Sequence, residues 1–359
     1  MNKELLKGNI AIAHAALNCG LSCYFGYPIT PQTEIGEFLS LEMQKRNLGF
    51  VCAESEIGAI NMCLGAASTG AKVMTSSSSC AVALMQEAIS YATSDELPIV
   101  LVNVMRAGPG QGYIYSSQGD YNQATIGGGN GDYKTIVLAP SSVQECYDMT
   151  QRAFYLAQKY RNPVILLLDG LLGQMAEPCI LKENPYPEVD NSSWRLDGAK
   201  NRASRNIHSL EPNQDKLNKH IYKLFDKYQT IEQNEVDFEE YRCDNVDILI
   251  TAFGSCARNA KAVCDYFQEK GIKIGLFRPK TLYPFPYKHL GNLSKKVNSI
   301  IDIEMNCGQM EKDIKLATSN SVPIWKISKP VGDMFCPEDL IKKIEGIIEK
   351  KEETYAKSV

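Results

Sequence analysis

The chain has 359 residues, of which 44% are hydrophobic and 22% charged, enough for two domains with real cores. A net charge of −4 gives no reason to expect a nucleic-acid or anionic-membrane partner. The N-terminal stretch lacks a signal peptide pattern, and no apolar run approaches the roughly 20 residues of a membrane span, so we expect a cytoplasmic protein.

The first 180 residues alternate helical and strand-like patterns, which indicates a parallel sheet covered by helices on both faces. A glycine-rich loop is predicted over 107–131. The predicted helices cover 7–19, 32–46, 56–69, 80–94 and 142–160, and the predicted strands cover 22–25, 49–53, 72–75, 98–105, 135–138 and 163–168.

The rest of the chain divides into three predicted parts. Residues 181–243 are polar and turn-rich, with a short helical pattern near 214–229, and are expected to form a connection. A second α/β unit is predicted over 244–350, followed by a charged tail over 351–359. Its predicted strands are 246–255, 272–279, 297–306 and 323–328, and its predicted helices are 256–270, 308–318 and 337–350.

The twelve cysteines are scattered and form no C-x-x-C pair. We expect buried free thiols rather than a disulfide framework, and no iron–sulfur cluster held by this chain. The four histidines show no metal-ligand spacing, so no metal site is predicted.

Polar residues follow four of the predicted strands, where a parallel sheet binds its ligands. They are Thr30 in "GYPITP", Glu54 and Glu56 in "ESE", the serine run 76–79, and Arg106 before "AGPGQG". Such a group of a hydroxyl, carboxylates and a guanidinium suits a small anionic substrate beside a basic heterocycle.

Each of these residues also has a purely structural explanation. The prolines around Thr30 could shape a turn in which Thr30 or Thr33 caps a helix. Glu54 and Glu56 lie at a helix N-terminus, where carboxylates are favoured anyway. Arg106 could be neutralised by an ion pair.

Familiar cofactor motifs are missing. No helix is predicted directly after "GPGQG", and the first strand is followed by "GYPITP" instead of a G-x-G-x-x-G turn, which argues against a nicotinamide-dependent dehydrogenase. The segment "GGGNGDY" at 127–133 lacks the G-D-G core of a metal–diphosphate loop.

The segments "GYPITPQTEI", "ESEIGAINMCLGAASTGAKVMTSSSS", "VLVNVMRAGPG", "GLFRPKTLYPFP" and "EMNCGQM" resemble the alpha subunit of the 2-oxoacid:ferredoxin oxidoreductases. The resemblance covers nearly the whole chain except 181–243. It implies a pyrimidine-type thiamine diphosphate-binding domain over 1–180 and a transketolase C-terminal-like domain over 244–350.

The resemblance also implies partners and a reaction. The family converts a 2-oxoacid and coenzyme A to acyl-CoA and CO2 and passes electrons to ferredoxin. A beta subunit is expected to bind the diphosphate and Mg2+, and a gamma or delta subunit to carry the iron–sulfur clusters. This chain is therefore expected to be inactive alone.

The family roles fall on three residues of this chain. Glu56 is expected to bond the aminopyrimidine ring nitrogen of thiamine diphosphate, with Glu54 as the weaker candidate. Thr30 is expected to contact the substrate carboxylate or carbonyl, and Arg106 to pair with the substrate carboxylate. The remaining alternative is a scaffold subunit whose sheet edge only completes a partner's site.

The substrate prediction rests on the loop "QGDYNQATIGGGNGDYKTIVLAP", which looks like the branched-chain (2-oxoisovalerate) type. After Arg106 the chain offers Tyr113, Ile114 and Tyr115 and no basic residue until Lys134. A 2-oxoglutarate enzyme, which is the alternative, needs a second cation for the distal carboxylate.

Overall fold

The computed structural model describes residues 3–333 and 335–356 of the chain. In the first half the elements are β1 (Lys3–Lys7), α1 (Gly8–Asn18), β2 (Cys23–Gly26), α2 (Thr33–Lys45), β3 (Gly49–Cys52), α3 (Glu56–Ser68), β4 (Val73–Ser77), α4 (Ser79–Leu84), α5 (Gln86–Ser94), β5 (Ile99–Ala107), β6 (Tyr113–Ser116), α6 (Tyr121–Thr125), β7 (Ile136–Leu138), α7 (Val143–Tyr160), β8 (Val164–Asp169), α8 (Gly170–Gln174) and β9 (Ala176–Ile180).

The second half begins with a long helix that runs into another sheet. Its elements are α9 (Gln214–Asn234), β10 (Phe238–Tyr241), β11 (Ile248–Ala252), α10 (Gly254–Glu269), β12 (Ile274–Pro279), β13 (Thr281–Tyr283), α11 (Tyr287–Ser294), β14 (Ser299–Glu304), α12 (Glu311–Thr318), β15 (Ile324–Ser328) and α13 (Pro337–Ala356). None of the described helices is long and apolar enough to cross a membrane.

The first sheet has the strand order β13-β7-β8-β5-β4-β2-β3, with β6 paired to β5. Strands β2 to β5, β7 and β8 run parallel, as the alternating pattern predicts. Every residue of β5 and β8 is buried, which suits central strands covered on both faces. Alternate β5 residues enter two cores: Val102 faces α1 and α7, and Leu101 faces α3 and α5.

The second sheet has the order β10-β12-β11-β14-β15, and only β10 is antiparallel to its neighbour. Helices α10 and α13 cover one face of it. The other face shares an apolar core with the first sheet, in which Leu249 and Phe277 belong to the same cluster as Val137 and Leu282. The predicted α/β class is confirmed, and the two sheets are packed together.

Several short elements were not predicted from the sequence. Strand β1 pairs antiparallel with β9 but is largely exposed, so it leaves no hydrophobic pattern. The predicted loop 107–131 contains β6 and α6, and the predicted connection 181–243 contains β10, which joins the second sheet.

Other boundaries differ from the prediction. The predicted helix 80–94 is two helices that meet at Met85, and α9 has 21 residues instead of the shorter predicted pattern. Strand β13 follows β12 in the chain but pairs with β7 of the first sheet. Helix α11 was not predicted from the sequence. The predicted tail lies partly in α13, and its residues 357–359 lie outside the described residues.

A buried arginine joins the two sheets. Arg278 in β12 is 1% exposed, and its two terminal nitrogens donate to the two carboxylate oxygens of Glu145 in α7 at 2.7 and 2.6 Å. Its Nε donates to Glu239 of β10 at 2.9 Å. Burial alone would raise the pKa of Glu145, but the hydrogen bonds and positive charge of Arg278 outweigh burial and lower that pKa to about 2.

Replacing this carboxylate should weaken the protein and change its acid sensitivity. Because the pKa of Glu145 is lower in the folded chain than in the unfolded chain, its stabilisation is full above the unfolded pKa of roughly 4.3 and is lost as pH falls toward 2. Glu145→Gln should lower the free energy of unfolding by about 3 kcal/mol at pH 7. Its stability should also depend less steeply on pH between about 5 and 2. Urea midpoints at pH 7, 5, 4 and 3 measure both effects.

Glu42→Gln is the matched control, because Glu42 forms ion pairs only with the exposed Lys45 and Arg46. Equal destabilisation by the two substitutions would contradict the conclusion that the ion pair between Glu145 of α7 and Arg278 of β12 stabilises the packing of the two sheets.

Candidate active site

Four neighbouring strands bring the predicted polar residues to one edge of the first sheet. Strands β5, β4, β2 and β3 are adjacent in that order, and Arg106, the serine run, Thr30 and Glu56 lie at or after their carboxyl ends. From β2 the chain adds β3 on one side and β4 on the other. The switch point between β2 and β4 is where an open α/β sheet forms its ligand crevice.

The turn that carries Thr30 is held by amide side chains. The carbonyl of Pro31 accepts hydrogen bonds from Asn9 of α1 and Gln174 of α8, both at 2.8 Å. Gln32 donates to the carbonyl of Tyr27 at 3.2 Å and accepts from Ser76 at 2.6 Å. These amides, which were not predicted from the sequence, hold the turn together with the prolines around Thr30.

Thr30 itself is exposed, and its hydroxyl has no hydrogen-bond partner within residues 3–333 and 335–356. Helix α2 begins at Thr33 after Gln32, and no side chain caps it. The structural explanation in which Thr30 or Thr33 caps this helix is therefore wrong. The Thr30 hydroxyl is available to a ligand at the crevice.

Glu56 is the first residue of α3, after Ser55, whose side chain caps the helix by accepting from the Gly58 amide at 3.1 Å. Glu56 is 8% exposed, and its carboxylate has no hydrogen-bond or ion-pair partner in the described part of the chain. The neighbouring Glu54 is exposed. Because Glu56 is largely buried and has no partner while Glu54 is exposed, Glu56 is the better candidate to meet a ligand donor.

Arg106 is 8% exposed, and its contacts with the described residues are all neutral. Its Nη1 donates to the Thr30 carbonyl at 3.2 Å, and its Nη2 lies 3.0 Å from the Cys80 Sγ and 3.2 and 3.1 Å from the carbonyl and Oε1 of Gln111. Its Nε is buried without a partner, and no carboxylate of a described residue lies within ion-pair distance. The ion-pair explanation is therefore not supported within this chain.

A polar network that the sequence analysis missed fixes the backbone of Arg106. Ser79 Oγ accepts from the Arg106 amide at 2.9 Å and donates to Asp120 at 2.6 Å, and Asn103 also donates to Asp120 at 2.9 Å. Burial raises the pKa of Asp120, which the hydrogen bonds from Ser79 and Asn103 only partly offset. Ser79 has a φ of 27°, a left-handed conformation that is strained for a serine.

The second sheet closes one side of the site. A cavity of about 430 Å³ lies between the start of α4, the loops at 108–110 and 117–123, and the loop at 306–309. Gln118 exchanges hydrogen bonds with the backbone of Met305 at 2.8 and 3.0 Å, and Asn306 donates to the Gln118 carbonyl at 2.9 Å. The two units thus contact each other directly beside Arg106.

Strand β6 presents apolar side chains next to the arginine. It pairs antiparallel with the end of β5, where Ser116 lies opposite Arg106, and Tyr113, Ile114 and Tyr115 are 58%, 49% and 55% exposed. Lys134 places its ammonium 5.5 Å from the ring of Tyr283 and lines a separate cavity. Lys134 therefore does not line the cavity between α4 and the loop at 306–309.

The described cysteines are all free thiols. Across residues 3–333 and 335–356, no group of three or more histidine, cysteine, aspartate or glutamate side chains is arranged to hold a metal ion.

Comparisons with known proteins agree on one family. Residues 14–242 match the family described as "Pyruvate flavodoxin/ferredoxin oxidoreductase, thiamine diP-bdg", and residues 246–340 match "Pyruvate:ferredoxin oxidoreductase core domain II". The ketoisovalerate oxidoreductase subunit VorB of Methanothermobacter marburgensis is 44% identical, over 97% of this chain and 98% of the relative. The 2-oxoglutarate synthase subunit KorA of Archaeoglobus fulgidus is 35% identical, over 96% and 99%.

Solved structures share the architecture. The 2-oxoglutarate:ferredoxin oxidoreductase of Magnetococcus marinus, solved with 2-oxoglutarate, coenzyme A and succinyl-CoA bound, superimposes with a TM-score of 0.87 at 26% identity. The match covers 96% of this chain, which spans 65% of that chain's length. A split gene transketolase matches with a TM-score of 0.59 at 12% identity, which shows a common fold alone.

The contact between Ser79 and Arg106 predicts a local change in hydrogen exchange. Ser79→Ala removes the acceptor of the Arg106 amide, a bond of about 1 kcal/mol, so that amide should exchange roughly fivefold faster. Hydrogen–deuterium exchange of peptides that cover 103–107 measures this. Ser40→Ala, which removes an exposed hydroxyl bonded within α2, should leave these peptides unchanged. Unaltered exchange in Ser79→Ala would contradict the role given to Ser79.

Proposed function

We propose that this chain, which belongs to the 2-oxoacid:ferredoxin oxidoreductase family, is the subunit that binds the 2-oxoacid and the pyrimidine end of thiamine diphosphate. The proposed reaction is the oxidative decarboxylation of a branched-chain 2-oxoacid, 2-oxoisovalerate, with coenzyme A. Its products are the acyl-CoA and CO2, and its electrons pass to ferredoxin.

The observation that carries the proposal is the uncompensated charge of Arg106. Taking a guanidinium out of water costs several kcal/mol unless an anion compensates it. Arg106 is 8% exposed, has only neutral partners within the described chain and keeps one buried N–H unpaired. A 2-oxoacid carboxylate fits this geometry because it can accept two parallel hydrogen bonds from one guanidinium.

Thr30 supports the same placement. Its carbonyl accepts from Arg106 Nη1, so the residue lies against the guanidinium, while its hydroxyl stays free. A substrate held by Arg106 would place its carboxylate or adjacent carbonyl within reach of that hydroxyl. The anchored turn would limit the reorganisation needed as the reaction proceeds.

Glu56 fits the pyrimidine end of the cofactor. The Glu56 carboxylate, which has no partner among the described residues, can accept a hydrogen bond from a ring nitrogen. When bound, thiamine diphosphate supplies the carbanion that attacks the carbonyl carbon of a 2-oxoacid. The contribution of this chain is then to hold a proton at the ring nitrogen through Glu56 and to orient the substrate through Arg106 and Thr30.

Partner subunits complete the proposal. The relatives are named as subunits, which implies a multi-subunit enzyme. We assign Mg2+ and the diphosphate to a beta subunit and the iron–sulfur clusters to a gamma or delta subunit.

The branched-chain substrate is favoured by two observations. Two relatives named ketoisovalerate oxidoreductase subunit are 44% and 43% identical, against 35% for a 2-oxoglutarate synthase subunit. Beside Arg106 the chain exposes Tyr113, Ile114 and Tyr115, which suit an apolar substrate side chain. A 2-oxoglutarate enzyme, the second candidate, would need a distal cation from a partner subunit.

Glu56→Ala tests the catalytic part of the proposal against the scaffold alternative. In the complex assembled from this chain and its partner subunits, the substitution should lower turnover at least 100-fold because proton transfer loses its carboxylate. The assembled complex should still form. Glu54→Ala, which removes the exposed neighbouring carboxylate, should lower turnover less than threefold. Normal turnover in Glu56→Ala would instead favour a scaffold role.

Substrate choice is tested by coenzyme A-dependent reduction of a viologen dye by the assembled complex. We expect kcat/KM for 2-oxoisovalerate to exceed that for 2-oxoglutarate and for pyruvate by at least tenfold, since a distal carboxylate left unpaired beside the apolar side chains of β6 is costly. Preference for 2-oxoglutarate would overturn the substrate assignment. No activity with any of the three would overturn the proposed function.

A further inference from the structure

Gln111 presents two oxygen acceptors to the guanidinium of Arg106, as a carboxylate would. Arg106 Nη2 donates to two oxygens of this one residue, the carbonyl at 3.2 Å and Oε1 at 3.1 Å. Within residues 3–333 and 335–356, these are the hydrogen bonds that the Gln111 side chain and carbonyl make. The two oxygens present a pair of acceptors, as a substrate carboxylate would.

The free donor of Arg106 lies on the same edge of the guanidinium. In arginine the Nε and Nη2 hydrogens point to one side and form the fork that a carboxylate accepts bidentately. Here Nε is buried and unpartnered, while Nη2 is shared between the Gln111 oxygens and Cys80. A carboxylate that takes this edge therefore competes with Gln111 and Cys80 for Nη2.

The segment that carries Gln111 is an exposed turn outside the sheet. Residues 108–112 are exposed and form the turn between β5 and β6. A Cβ on Gly110 would meet nothing within 4 Å, so the tip of the turn is open. At Gly112, with a φ of 49°, a Cβ would come within 1.7 Å of the Ala107 carbonyl, so glycine is required where the turn closes on β5.

We propose that Gln111 is a positioning residue that holds the Arg106 guanidinium before substrate binds and yields its place to the substrate carboxylate. The inference rests on the proposed function, because it takes Arg106 as the carboxylate anchor. The carbonyl of Thr30, the thiol of Cys80 and the oxygens of Gln111 keep the guanidinium in one orientation. The carboxylate then replaces the neutral oxygens of Gln111 with a charged acceptor at Nη2 and adds a bond at Nε.

Gln111→Glu tests the inference most sharply. A glutamate at this position would form a charged, bidentate pair with Arg106 and compete with the substrate carboxylate. In the assembled complex, the KM for 2-oxoisovalerate and the competitive inhibition constant of 2-hydroxyisovalerate should both rise at least tenfold. The kcat should change less than threefold, because saturating substrate still displaces the side chain.

Two further variants separate competition from general effects. Gln123→Glu adds the same charge on a side chain that lines the cavity beside the turn 108–112 and makes no hydrogen bond to Arg106. It should change KM less than threefold. Gln111→Met removes the competing Oε1 at similar size, and its KM should equal or fall below that of the unmodified enzyme. Hydrogen exchange of peptides that cover 108–113 should increase when 2-hydroxyisovalerate binds the unmodified complex.

The outcomes distinguish the inference from the proposed function. Arg106→Lys should raise KM at least tenfold; if it does not, Arg106 is not the anchor and both proposals fall. If Arg106→Lys raises KM but Gln111→Glu leaves it within twofold, only the inference is overturned. A rise in KM for Gln111→Met as large as for Gln111→Glu would also overturn it, because Gln111 would then support substrate binding instead of competing with it.

Discussion

The guanidinium of Arg106 is buried at the end of β5 without a carboxylate among the described residues to compensate it. A buried charge of this kind is stable only if neighbouring polar groups accept its hydrogen bonds and an anion compensates it. The elements around it are organised by this constraint. Ser79 fixes its backbone, the Thr30 turn accepts from one terminal nitrogen, and Gln111 accepts from the other.

The supports of this charge come from both halves of the chain. The network of Ser79, Asn103 and Asp120 lies in the first half of the chain, around the end of β5, while Gln118 bonds Met305 just after β14 of the second sheet. Arg278 joins α7 to β10 and β12. Hydrogen bonds from both halves of the chain therefore anchor the crevice, whereas the turn 108–112 beside it is exposed.

The sequence predicted the sheet and its ligand edge because their signals are strong. Buried β-branched strands alternating with helices predict parallel strands, and their carboxyl ends place Thr30, Glu56 and Arg106 on one edge. The catalytic roles of these three came only from the family resemblance. The ion-pair explanation for Arg106 could not be tested from the sequence, because partners distant in the chain leave no local pattern.

The residues that position the site were not predictable for the same reason. Asn9, Gln174 and Asp120 lie far along the chain from the groups they bond, and an amide in a helix has no distinguishing spacing. Strands β1, β6 and β10 are short and largely exposed or lie at sheet edges, so hydrophobic periodicity does not reveal them. Ser79 did carry a signal, since it ends the serine run that follows β4, but its role depends on a left-handed backbone.

The central claim is that the guanidinium of Arg106 binds the carboxylate of the 2-oxoacid substrate. The most direct test is a structure of the assembled complex with 2-hydroxyisovalerate, an analogue that keeps the carboxylate and lacks the reactive carbonyl. The account predicts the carboxylate within hydrogen-bonding distance of Arg106 Nε and Nη2, with the isopropyl group against β6. A carboxylate bound elsewhere, with Arg106 Nε still unpaired or paired to a partner subunit's acid, would contradict the account.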